Sequence, residues 1–129
     1  SNPAIKYLGR IDGRQVVEAM DAADVAVLPS TFEPWGLVVN EAMAAGLTVI
    51  ASDRVGCRVD LVRQDQTGIV FPSASVEALR DAMEYMAANP AERKRMAGQA
   101  REAISDWTLE NWARNITQAW EIAHESPQL

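Results

Sequence analysis

One stretch, Leu28 to Ser52, constrains the fold more than any other: LPSTFEPWGLVVNEAMAAGLTVIAS. It reads as a strand end, a loop, a helix, a glycine stop and a second strand. Pro34 suits a position at or just before the first helical turn, where its missing N–H costs nothing. The helix is expected from about Gly36 to Ala45, and Gly46 fits the left-handed position after a helix end. Leu47 to Ala51 is a short apolar run with β-branched residues, the pattern of a buried parallel strand. Two carboxylates mark the stretch, Glu33 in the loop and Glu41 in the helix, with seven residues between them. The backbone N–H groups of Trp35, Gly36, Leu37 and Val38 should point out of the helix start, a seat for a phosphate or an oxyanion. Glu41 follows Leu37 and Val38 by three or four residues, so it is expected at the border of the sheet-packed face.

The flanking sequence extends the same alternation. Ala4–Leu8 is a strand candidate closed by Gly9, followed by a turn at 10–13 and a helix from Arg14 to Ala23. Asp24–Leu28 is apolar enough to be buried on both faces. After Ala51 come a loop (residues 52–60), a short helical segment at Val59–Arg63, a turn at 64–68 and a last strand at Ile69–Phe71. The remainder is helical. Ser75 can cap one helix. Asn89, Pro90 and Glu92 have the pattern of a capping box at the next. A last helix, Leu109 to His124, carries Trp112, Ile116 and Trp120 on one face, the spacing of core residues or of a face turned to a further domain. The expectation is an α/β fold: a Rossmann-like parallel sheet flanked by helices, in one unit over residues 3–129. Its α/β part covers 3–72 and its helical part 73–129. In such sheets ligands sit at the carboxyl ends of the strands, where the loops at 28–36 and 52–60 both lie.

Composition narrows the function. The net charge of −6 argues against nucleic acid as a partner. The single cysteine, Cys57, excludes an internal disulfide and fits a reducing compartment; with no histidine near it in sequence, it reads as a loop filler. No apolar run has the length of a membrane span and no signal peptide opens the chain, so a cytoplasmic location is expected. No cluster has metal-ligand spacing, so no metal or other cofactor is expected. Arg10, Arg54 and Arg58 are candidate phosphate partners, each more simply read as a solvated charge.

The string PSTFEPWGLVVNEAMAAGLTVIAS resembles the donor-site signature of retaining glycosyltransferases of the GT-B architecture. It is similar in particular to the large family that includes glycogen and sucrose-phosphate synthases and bacterial mannosyl- and glucosyltransferases. KYLGRI, AADVAVLPS, VGC and QTGIVFP resemble neighbouring family segments, so the likeness covers about residues 4 to 88, with Trp107 onward a looser match to the family's terminal helix. The resemblance implies a nucleoside-diphosphate sugar as substrate. It makes Glu33 the catalytic carboxylate beside the donor sugar, with nucleophile and electrostatic stabiliser both open. It makes Glu41 the acceptor of ribose hydroxyls. Trp35, Gly36, Leu37 and Val38 match the helix start that faces sugar and diphosphate, and Gly9 and Arg10 the turn near the base. Two departures are mild: Val55-Gly56-Cys57 and Asp60 stand where two glycines and a glutamate are usual, and Trp35 replaces a phenylalanine.

Family chains open with an acceptor-binding domain and two strands that have no counterpart here. The expectation is thus a partial donor domain, inactive alone, whose complete enzyme sits in the cytoplasm or peripherally on the inner membrane face. In the strand order 3-2-1-4-5-6, Ala4–Leu8 is strand 3 and Asp24–Leu28 is strand 4, which then presents an open edge. Either Ala4–Leu8 moves in to pair with it or a second molecule does, a route to self-association. Alternative readings are a non-catalytic nucleotide-binding or interaction module and a nucleotide-sugar epimerase of the same architecture.

Overall fold

The computed structural model describes residues 2–125. Three parallel strands, β1 (Val25–Leu28), β2 (Thr48–Ser52) and β3 (Gly68–Phe71), lie in that order across one sheet. Val25 pairs with Thr48 and Leu28 with Ala51; Val49 pairs with Gly68 and Ser52 with Phe71. The helices are α1 (Gly13–Asp21), α2 (Leu37–Ala45), α3 (Val76–Ala88), α4 (Pro90–Ile104) and α5 (Leu109–Glu125), with a 3₁₀ turn at Gly56–Val59. That turn lies three residues before the helical segment expected at Val59.

β2 is buried at all five positions: its apolar centre, Val49 to Ala51, suits a central parallel strand, and the Thr48 and Ser52 hydroxyls at its two ends each donate to a backbone carbonyl. Its side chains alternate between the two faces of the sheet. Val49 and Ala51 join Val39, Ala42 and Met43 of α2, with Ala100 and Ile104 of α4. Ile50 joins Ala82 and Met86 of α3 and Met96 of α4. One helix, α4, thus contributes to both cores. Met43, Ile50, Leu61, Met86 and Met96 are each less than 2% exposed; burying a side chain of that size contributes about 1.5–3 kcal/mol. The buried Thr48 hydroxyl is satisfied by donating to the Arg93 carbonyl at 2.7 Å.

Four expectations differ from the structure. Ala4–Leu8 forms no strand and is exposed throughout. No strand lies beside it among the described residues, and an unpaired segment keeps its backbone polar groups in water. It does not pair with β1, whose outer edge is open among the described residues. β1 is accordingly half-buried, with Val27 exposed, instead of covered on both faces. The capping box at α4 does not form. Asn89 turns its amide back to the Tyr85 carbonyl at 2.8 Å, and Glu92 pairs with Arg95. Pro90 does occupy the first helical turn, and Ser75 does cap α3 by accepting from the Ala78 N–H. Finally, Trp112 and Trp120 are 64% and 66% exposed, not core. The helical spacing of α5 defines an apolar stripe, but no other described element covers it.

Candidate functional site

The loops leaving the carboxyl ends of β1 and β2 are stapled together. The Glu33 N–H donates to the Arg54 carbonyl at 3.1 Å, and the Gly56 N–H donates back to the Glu33 carbonyl at 2.8 Å. The Cys57 N–H donates to the Trp35 carbonyl at 2.9 Å. Deeper in, the Ser52 hydroxyl donates to the Ser30 carbonyl. Residues 33–36 are thereby held by a second loop that the sequence offered only as Val55-Gly56-Cys57. The approach demands glycine at 56: a Cβ there would lie 1.9 Å from the Pro34 carbonyl oxygen.

The chain then turns into α2 through Gly36. Its φ of 96° and ψ of 61° are left-handed, so the helix begins one residue later than expected, with Gly36 as its cap. Gly36 is packed among Leu28, Val55 and the stem of Glu33. The backbone N–H groups of Gly36, Leu37 and Val38 have no acceptor among the described residues, and Leu37 and Val38 are exposed. The Trp35 N–H differs: it reaches the Glu33 carboxylate Oε1 at 3.4 Å, a long contact. That contact turns the half-buried Glu33 carboxylate towards the helix start. The Trp35 indole N–H donates to Asn40 Oδ1 at 3.1 Å, and its ring lies 5.6 Å from that of Trp107. Sequence reasoning assigned neither Asn40 nor Trp107 to the site, naming Trp107 only as the start of a looser likeness to a terminal helix; helical spacing places Asn40 beside Gly36.

The remaining site candidates spread outward. Glu41 is exposed and lines a shallow cleft of about 410 Å³ between α2 and α1, opposite Val16, Val17 and Met20. Gly9 and Arg10 are exposed just before α1, and Gly9 has a φ of 68° with open space around its Cα. Arg10 makes no ion pair among the described residues. Of the other two arginines, Arg58 is committed through Nε to the Asp53 carbonyl at 2.8 Å, and exposed Arg54 lies 3.9 Å from the Asp53 carboxylate.

Cys57 is fully buried beneath this loop, its Sγ 3.8 Å from the Gly36 carbonyl. Burial pushes its thiol up to about 11, with lesser contributions from Asp60 and Glu33. The folded state therefore keeps a proton that the unfolded chain has already lost between about pH 9 and 11. Stability should fall across that window as pH rises, by about 2–3 kcal/mol at its upper end. Melts of the wild type and Cys57→Ala at successive pH values check this: the alanine variant should lack that part of the slope.

A parallel sheet clothed by helices, with two loops stapled together at the strand carboxyl ends, is an α/β domain of the doubly wound, Rossmann-like type. The Glycosyl transferases group 1 family model matches residues 2–103, and the chain belongs to that family. The glycogen synthase of Mycobacterium tuberculosis is 35% identical over 129 residues, covering 97% of this chain and 31% of that protein. The phosphatidyl-myo-inositol mannosyltransferase of Mycobacterium leprae is 35% identical over 108 residues, covering 81% of this chain and 29% of that protein. Among solved structures, the sucrose-phosphate synthase of Thermosynechococcus elongatus superposes with a TM-score of 0.76 at 32% identity, over 93% of this chain and 29% of that one. Anabaena HepE, solved in complex with UDP and glucose, gives 0.77 at 22% identity, over 95% and 33%, which speaks for the fold alone. The chain thus spans about a third of the length of the relatives it matches, and its fold is part of a GT-B domain. Among the described residues no helix is long and apolar enough to cross a membrane.

Proposed function

We propose that this chain forms the donor side of a retaining glycosyltransferase that takes a nucleoside-diphosphate sugar and passes the sugar to an acceptor hydroxyl. The start of α2 carries the reading. Gly36 opens three backbone N–H groups at the carboxyl end of a parallel sheet, with Glu33 before them and Glu41 one turn beyond. Those N–H groups and the helix dipole suit a diphosphate, and the leaving diphosphate is stabilised there and by basic side chains, without a metal. Glu41 receives the ribose hydroxyls, Gly9 and Arg10 lie towards the base, and Glu33 faces the sugar. Relatives at 35% identity, a glycogen synthase and a phosphatidyl-myo-inositol mannosyltransferase, support sugar transfer as the reaction class. In the complete protein a further domain supplies the acceptor, and the open edge of β1 takes additional strands, from the same polypeptide or a second molecule. Without the acceptor held beside the donor, the 129-residue chain alone turns over no sugar.

Calorimetric titration with UDP, ADP and GDP tests the binding half. Saturable binding of at least one, weakened by Glu41→Ala, is the expected result; no binding of any of the three overturns the reading. Ribose is held alike in ground and transition states, so Glu41→Ala should raise the donor KM of the complete protein with kcat little changed. Hydrogen bonds to a charged acceptor are worth about 1.5–3 kcal/mol, so the rise should be roughly 10- to 150-fold.

A further inference from the structure

We propose that Trp107 is a positioning residue: its ring braces Trp35, and Trp35 in turn fixes the direction of the Glu33 carboxylate. This rests on the role given to Glu33 above. Trp35 joins three parts of the site's frame. Its N–H faces the Glu33 carboxylate, its carbonyl accepts from Cys57, and its indole N–H is held by Asn40 on α2. Those bonds anchor one edge of the indole and the backbone behind it. Beside the ring stands Trp107, with centroids 5.6 Å apart and planes tilted by 39°, a favourable aromatic geometry.

Trp107 is itself fixed from behind. Its N–H donates to the Ile104 carbonyl at the end of α4, and Ile104 is buried in the core that α2 shares. A rigid path therefore runs from the core, through the last turn of α4, to the loop that carries Glu33. Trp107 also lies beyond residues 2–103, the segment matched by the family model. Trp107 is half-exposed and far from filling a core position, so supporting the Trp35 ring is the contact that accounts for its placement.

Kinetics of the complete protein with UDP-glucose, ADP-glucose and GDP-mannose test this, using Trp107→Ala, Trp107→Phe, Glu33→Gln and the double variant Glu33→Gln/Trp107→Ala. Trp107→Ala should lower kcat roughly 3- to 10-fold, the scale of one aromatic pair, with donor KM within about twofold, since the N–H seat is untouched. Trp107→Phe should recover most of the loss. In the Glu33→Gln background the alanine change should have no further effect, because the group it positions is gone. Equal losses in both backgrounds, or no loss in either, overturn the proposal while leaving the donor reading intact. A near-normal kcat for Glu33→Gln alone overturns the catalytic role given to Glu33, and the brace with it. A second readout needs no donor: in the 129-residue chain, hydrogen exchange at the Trp35 indole N–H should quicken in Trp107→Ala while that of Trp120 does not change. Unchanged exchange at Trp35 overturns the brace. If Trp107→Ala loses its cooperative melt, Trp107→Leu, with bulk but no aromatic face, replaces it in both measurements.

Discussion

Replacing Gly56 by alanine is expected to cost the fold about 3–5 kcal/mol, a large fraction of what a chain of this size has. The added methyl would sit 1.9 Å from the Pro34 carbonyl oxygen and 2.7 Å from its carbon, both backbone atoms with no rotamer to escape into. The two loops must part. Three backbone hydrogen bonds then go together: Glu33 to Arg54, Gly56 to Glu33, and Cys57 to Trp35. Each is worth about 1 kcal/mol net, and more where the partner stays buried without water. Urea unfolding of Gly56→Ala should show an unfolding free energy lower by that amount, with the midpoint at correspondingly lower urea. A variant as stable as the wild type would mean that the loops pack otherwise. Nucleotide binding should weaken as well, since the same staple holds Gly36 in place.

The second large effect belongs to Glu33. Glu33→Ala in the complete protein should lower kcat on the order of 10²–10³-fold, the scale of removing one preorganised electrostatic partner. The carboxylate is proposed to face the sugar as positive charge develops at the breaking glycosidic bond, so its worth appears in the transition state. Donor affinity should change much less. The backbone of Glu33 is held by its own N–H and carbonyl, both of which survive the substitution, so the loop stays in place. Steady-state kinetics at several donor concentrations, with nucleoside diphosphate binding measured alongside, separate the outcomes. A variant with normal kcat and lost affinity would make the loop a binding device without part in the chemistry.

Much of this architecture can be read from residue order because local signals and global packing agree. The run at Leu47–Ala51 is apolar but for Thr48, and among the described residues β2 is the strand buried along its whole length. Gly46 adopts the left-handed cap that its place after α2 suggests, with a φ of 83°. The failures share a cause. Ala4–Leu8 has the composition of a strand and the stripe on α5 has the spacing of a core helix, yet each needs a neighbour that local sequence does not specify. Asn89 fails for a different reason. Its amide had two nearby carbonyl and N–H choices, and the helix end behind it won over the helix start ahead. At the site, the glycine before α2 was visible as spacing. The staple to Val55–Cys57 and the Trp35–Trp107 contact were not, since both join residues distant in sequence.

The position of α4 has a consequence for how the chain assembles. Met96 closes the core on one face of the sheet, while Ala100 and Ile104 close the other. Neither face is sealed until the same fifteen-residue helix docks. As the chain leaves the ribosome, the strands and the Glu33 loop emerge first and remain without their cover until Ile104 is free. The molecule therefore cannot finish in halves: its two hydrophobic layers are latched by one late bolt, and loosening that bolt opens both.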